Sequence, residues 1–204
     1  MQDKGDRMNR QLLSLAAAAV ALCVSAGASA QGYVGLAGGP TRIDIDCTGA
    51  TTCDKTDNGF KLYGGLRLPS NWAFEGLYVD WGSAKATVTG VIPEVSGPIT
   101  GEGTVDATGF GGAVAYFMPF TQNWTGVVRL GVMPNKAKTT ASALGLSASE
   151  SFTGTFAYAG VGIGYNVMPN LTLTSEADFS RVKYTSDGDK ADLRLISVGL
   201  RYAF

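Results

Sequence analysis

The sequence predicts an all-β fold, an eight-stranded antiparallel up-and-down transmembrane β-barrel, on three observations. Apolar side chains recur at every second position in eight segments, roughly 32–42, 59–68, 72–81, 107–118, 124–133, 154–167, 171–181 and 192–204, the period of a strand with one apolar face. The connections between the segments alternate strictly in length. Charges stay away from the middle of every apolar face.

The first thirty residues stand apart from the fold. "MNRQLLSLAAAAVALCVSAGASA" has a basic start at Arg10, with Lys4 and Arg7 upstream, then an apolar run from Leu12 to Val24, then Ala28-Ser29-Ala30. That order describes a secretory signal peptide cleaved before Gln31, with Met8 a plausible true start. Cys23 is not read as a lipoprotein site, since Leu22 stands where such a signal has a small residue. Residues 31–204 form one domain by size. Without Lys4, Arg7, Arg10, Asp3 and Asp6 they hold 13 basic and 15 acidic residues, a balance that gives no reason to expect nucleic acid. An exported chain without a second long apolar helix is either soluble or a transmembrane barrel.

The first segment, "GYVGLAGG", is ambiguous in parity. In the second, Phe60, Leu62, Leu66 and Leu68 alternate with Lys61, Tyr63, Gly65 and Arg67. The fifth places Trp124, Val128, Leu130 and Val132 on one face and Arg129 on the other. The sixth sets Ala157, Ala159, Val161, Ile163, Tyr165 and Val167 against Tyr158, Gly160, Gly162, Gly164 and Asn166. The last carries Ile196, Val198, Leu200, Tyr202 and Phe204 at alternate positions up to the terminus. Connections 69–71, 119–123 and 168–170 are short and hold Pro or Asn, residues suited to tight turns. Connections 43–58, 82–106, 134–153 and 182–191 are longer and rich in Gly, Ser, Thr and Asp. Short turns on one side and long loops on the other are the pattern of an up-and-down membrane barrel.

The apolar faces carry Arg42, Asp80, Arg181, Asp192 and Arg194 only at the ends beside long connections. A charge at the bilayer midplane of a lipid-facing wall costs about 2–4 kcal/mol, less towards the interface. Aromatics collect at the segment ends: Trp72, Trp124, Tyr165, Tyr202 and Phe204 near the short turns, and Phe60, Tyr78, Phe110 and Phe179 near the long ones. Such girdles suit a membrane-facing wall. A soluble lipocalin-like binder would need neither feature. Cys47 and Cys53, in the first long connection, are expected to form a disulfide in an oxidising compartment, with two free thiols as the alternative. A metal site is disfavoured, because the chain has no His.

"GFKLYGGLRLPSNWAFEGLYVDWG" and the terminal "ISVGLRYAF" resemble the small eight-stranded outer-membrane barrels of the OmpA/OmpX type, found in Gram-negative bacteria. The resemblance covers residues 32–204. It implies an outer-membrane location, contact with membrane lipids and lipopolysaccharide, and insertion by the barrel-assembly machinery. The machinery's recognition signal would be Phe204, Tyr202, Leu200, Val198 and Ile196. The resemblance also implies interior charges, and Thr174 stands where relatives often place Arg, a charge that Arg201 is expected to supply.

The inward parity holds Lys61, Arg67, Arg129 and Arg201 against Glu75, Glu176 and Asp178. An eight-stranded barrel has an interior just wide enough for side chains, and buried charges must be paired. A salt-bridged plug is therefore expected, with Glu176 and Arg201 on adjacent strands and able to pair directly. A gated, narrow conduction path is the alternative. Catalysis is not expected. Lipid-A-modifying barrels resemble His-dependent hydrolases or acyltransferases, and "TGFGGAVA" and "GEGTV" lack the Lys–Ser/Thr of a phosphate loop. The functional expectation is a monomeric structural or surface-interaction protein without cofactor, displaying four extracellular loops to an unknown ligand. A small passive channel or hydrophobic-solute conduit is the second expectation.

Overall fold

The computed structural model describes residues 30–91, 98–144, 146–186 and 188–204. The expected signal peptide, Ala30 apart, and the tip of the longest connection lie outside the described residues. Among the described residues nine strands follow in chain order: β1 (Gln31–Asp44), β2 (Thr52–Asp54), β3 (Thr56–Arg67), β4 (Trp72–Val91), β5 (Pro98–Pro119), β6 (Trp124–Ala143), β7 (Leu146–Met168), β8 (Leu171–Lys183) and β9 (Lys190–Ala203). All pairings are antiparallel, and the order β4-β3-β1-β9-β8-β7-β6-β5 closes through β4–β5. These eight strands form the barrel. The short β2 lies outside the ring and, among the described residues, pairs only with β4, Thr52 opposite Thr87.

Closure joins the two ends of the domain: Tyr33 lies opposite Ala203 and Leu36 opposite Leu200. No strand edge is therefore left unpaired in the wall. Asn71 takes a left-handed φ of 66° in the first short turn, a conformation Asn tolerates. The turn is closed by the Leu68 N–H donating to the Trp72 carbonyl at 2.7 Å.

The wall is inside out relative to a soluble protein. Phe74, Phe110, Leu130, Val132, Ile196 and Val198 face outward with exposures between 61% and 68%. Lys61, Glu75, Arg129, Glu176, Asp178 and Arg201 are buried inside. An apolar exterior around a charged interior needs a hydrocarbon solvent. Aromatic pairs border the band: Trp72 with Tyr116 (ring centroids 4.8 Å apart) and Trp124 with Tyr165 (5.0 Å) near the short turns, and Phe60 with Tyr78 (5.9 Å) towards the other end. The first strand's parity is resolved too, with Val34 and Leu36 outside and Tyr33 and Ala37 inside.

Two of the long connections, expected as loops, are largely strand. β4 and β5 stay paired from Ser83–Asp106 out to Val91–Pro98. β6 and β7 stay paired out to Ala143–Leu146. Much of 82–106 and 134–153 is thus hairpin that continues the wall beyond the apolar band. Alternation disappears there because neither face meets lipid, yet the backbone ladder does not need it, and Thr- and Val-rich sequence still suits a strand. The extension begins at a bulge between Asp80 and Ser83, where Gly82 has φ 72° and its N–H donates to Asp80 Oδ1 at 2.9 Å. A side chain at Gly82 would press on Asp57 and the Asn58 carbonyl besides adopting a strained φ.

Candidate functional site in the barrel lumen

Inward positions on β4 run Ala73, Glu75, Leu77, Val79 and Trp81 from the short turn towards the long connection. On β9 they run Leu193, Leu195, Ser197, Gly199 and Arg201 in the opposite direction. The lumen therefore changes character along its axis.

The middle tier is ionic. Arg129 Nε donates to Glu75 Oε2 at 2.6 Å, and its Nη1 lies 3.2 Å from Glu176 Oε1. Lys61 Nζ bonds both Asp178 oxygens, at 2.8 and 2.6 Å, and also contacts Glu176. Three tyrosines add donors to the carboxylates, though Arg129 Nη2 is buried without a hydrogen-bond partner among the described residues. Tyr33 donates to Glu75 Oε1 at 2.6 Å, Tyr63 to Glu176 Oε1 at 3.3 Å, and Tyr158 to Asp178 Oδ1. The Arg129 guanidinium also sits 4.8 Å from the centre of the Tyr63 ring. Side chains from six strands (β1, β3, β4, β6, β7 and β8) thus meet across the axis. Glycine makes the room: at Gly35 a Cβ would run into the Tyr63 ring.

The tier towards the long connections is apolar. Trp81, Ile43, Leu193, Leu195, Val79, Val182 and Met133 are almost completely buried there. Near it, Asn135 Nδ2 donates to Ser180 Oγ at 2.8 Å and to the Arg181 carbonyl at 2.6 Å.

Of the seven interior charges named from the sequence, the structure brings five together and leaves Arg67 and Arg201 apart. The expected Glu176–Arg201 pair does not form. Register explains this: Glu176 faces Ser197 on β9, while Arg201 faces Thr172, nearer the short turns. Nor does Arg201 substitute for a cation at Thr174, which is buried and without a hydrogen-bond partner for its hydroxyl. Arg67 and Arg201 instead lie over one ring, Phe117, at 4.7 and 4.8 Å from its centre.

The tyrosine donors, the Phe117 platform and the apolar tier were not expected from the sequence. Tyr63 and Tyr158 already stood on the polar parity, which was the available signal. Tyr33 was hidden by the ambiguous first segment.

Outside the wall, Cys47 and Cys53 are joined by a disulfide with Cα atoms 6.2 Å apart. Arg42 pairs with Asp44 at 2.8 Å, Arg194 lies 3.6 Å from Asp44, and Arg181 pairs with Asp192 at 2.7 Å. These outward charges make a collar on β1, β8 and β9 beside the long connections.

A family model described as the outer membrane protein β-barrel domain matches residues 14–204. Among solved structures, Neisserial surface protein A superposes with a TM-score of 0.58 at 13% identity, over 87% of this chain and 100% of that one. The attachment invasion locus protein Ail of Yersinia pestis, in complex with the heparin analogue sucrose octasulfate, gives 0.51 at 19% identity, over 86% and 98%. No curated protein sequence matches the chain.

Proposed function

Because the chain belongs to the outer membrane protein β-barrel domain family, we propose that it is a structural, surface-interaction protein of the outer membrane whose barrel is a plugged anchor. Its working parts are the four long connections on the extracellular side, with the β4–β5 and β6–β7 hairpins as a raised wall and the Cys47–Cys53 link clipping the first. The observation that carries this reading is the ionic tier, where Arg129 and Lys61 tie Glu75, Glu176 and Asp178 across the lumen. Such a plug suits a rigid support for display. The collar of Arg42, Arg181 and Arg194 would meet anionic headgroups of the outer leaflet, lipopolysaccharide among them. The signal peptide would be removed before Gln31. The terminal Ile196, Val198, Leu200, Tyr202 and Phe204 would serve the assembly machinery, and the inserted protein would be monomeric. A surface role also accords with the names of the attachment invasion locus protein and Neisserial surface protein A.

Planar-bilayer recording of refolded protein beside Arg129→Ala tests the plug. Silence from the wild type, with insertion verified by protection of the barrel from protease, is the expected result. Regular openings in the wild type that change with Arg129→Ala would replace the anchor by a small passive channel.

A further inference from the structure

The two arginines left out of the ionic tier lie in a cleft of about 190 Å³ at the short-turn mouth of the lumen, lined by Tyr33, Arg67, Phe117, Thr125, Thr172 and Arg201 among others. Arg201 is 7% exposed. Its only side-chain hydrogen bond among the described residues is a long one, 3.5 Å from Nη2 to Thr172 Oγ1. Arg67 is half-buried and donates to the neutral Asn71 Oδ1 at 2.7 Å. Among the described residues no side-chain carboxylate lies within 4.0 Å of either guanidinium. The nearest inward carboxylate along the wall, Glu75, already accepts from Tyr33 and Arg129.

Two like charges over one aromatic ring repel, and burial removes the water that would screen them. Stacking on Phe117 relieves part of this but supplies no negative charge. The ionic tier does not supply enough either. Its three carboxylates exceed Lys61 and Arg129 by one charge, so one of the two mouth arginines is still uncompensated across the lumen as a whole. Guanidiniums with free N–H groups match the oxygens of a phosphate. Thr125 and Thr172, both buried, also line the cleft, and the Thr172 hydroxyl is already committed as a donor to Asn166 Oδ1 at 2.9 Å, which leaves the two guanidiniums as the groups that would hold an oxyanion.

We propose that this mouth is an oxyanion site that holds a phosphate group between Arg67 and Arg201. Free phosphate and the headgroup of an anionic phospholipid in the inner leaflet share that chemistry. The site is independent of the display role and stands even if the lumen conducts.

Isothermal titration of the protein with inorganic phosphate in a neutral detergent, against chloride at equal ionic strength, tests it first. The expected result is saturable binding of phosphate over chloride, weakened about tenfold to a hundredfold in Arg67→Gln, the loss of one charge-assisted bond. Arg201→Gln should do the same. Because it is buried and its folding is less assured, heat-dependent gel migration is checked alongside, and Arg67→Gln alone still decides. Thermal unfolding in nanodiscs separates the sources. Stabilisation by phosphatidylglycerol over phosphatidylcholine that Arg67→Gln abolishes identifies the headgroup as occupant, whereas phosphate stabilising the protein equally in both discs identifies the free ion. No preference of the wild type for either phosphate or phosphatidylglycerol, or a preference unchanged in folded Arg67→Gln, would overturn the site.

Discussion

In the middle of the lumen Arg129, Lys61, Glu75, Glu176 and Asp178 meet in ion pairs, whereas towards the long connections Trp81, Ile43, Leu193, Leu195 and Met133 fill the same tube with hydrocarbon. The two fillings obey different rules. An apolar tier asks for volume, is non-directional and tolerates swaps that conserve size. An ionic tier asks for partners at fixed positions, and its members are safe only together, because desolvation of each charge is offset by the others. Wall strands supply both from the same inward parity, so the backbone does not decide between them. Side-chain chemistry does.

Removing one ionic partner should have the largest effect. Arg129→Ala leaves Glu75 and Glu176 without their shared cation and should destabilise the barrel by about 3–5 kcal/mol, read as a shift of the urea midpoint in lipid. A midpoint unchanged from the wild type would mean that water or relaxation replaces Arg129, and the tier would then be no more demanding than the apolar one. A covalent clip outside the lumen ranks next. Replacing Cys47 and Cys53 by Ser together should cost about 2 kcal/mol, the chain-entropy value for so short a loop. Equal unfolding midpoints for the double variant and the oxidised protein would show that the first connection is held by β2 pairing with β4 instead.

How much of this was legible in the sequence follows from which solvent each segment meets. Where lipid touches the wall, as at Leu130 and Val198, period two is enforced and the spans could be placed. Above the lipid nothing enforces it, so the hairpin arms at Ala84–Val91 and Lys136–Ala143 looked like loop. Charges on the inward parity, such as Lys61 and Glu176, were visible because a barrel has few other places to hide them. Which charge meets which was not. Pairing across the lumen depends on strand tilt and stagger, which set Arg129 between Glu75 and Glu176 and leave Arg201 a turn-side neighbour of Thr172. The apolar tier is hidden for a simpler reason: Val79, Trp81, Leu193 and Leu195 lie on the inward face of segments whose outward face carries the membrane signal.

A volume-conserving exchange sharpens the contrast from the apolar side. Leu195→Met keeps the buried volume and adds no polar group, so a loss below about 1.5 kcal/mol is expected, again by urea midpoint. A loss as large as that of Arg129→Ala would mean that the upper tier is packed to one shape and is as exacting as the ionic tier.

The smallest effect belongs to a carboxylate that has water as an alternative. Asp57, at the long-connection rim, accepts from the Asn58 N–H at 2.8 Å and from the Ser83 hydroxyl and N–H, both at 2.8 Å. The Asn58 backbone bond, followed by the Ser83 hydroxyl, holds the Asp57 carboxyl below the usual aspartate range. A folded-state value below the unfolded one gives stability that is fully present above the unfolded pKa, about 3.9. It is lost as pH falls through the folded value. Protection of the Ser83 amide from hydrogen exchange should therefore decline in acid from about pH 4 downward, with little change in the global midpoint. In Asp57→Asn that acid dependence should vanish. If Asp57→Asn keeps the wild-type acid profile at Ser83, the link between Asp57 and the base of the β4–β5 hairpin is not what orders it. Unlike Glu75 or Glu176, Asp57 can exchange its protein donors for solvent, so its loss should loosen one bulge and leave the lumen intact.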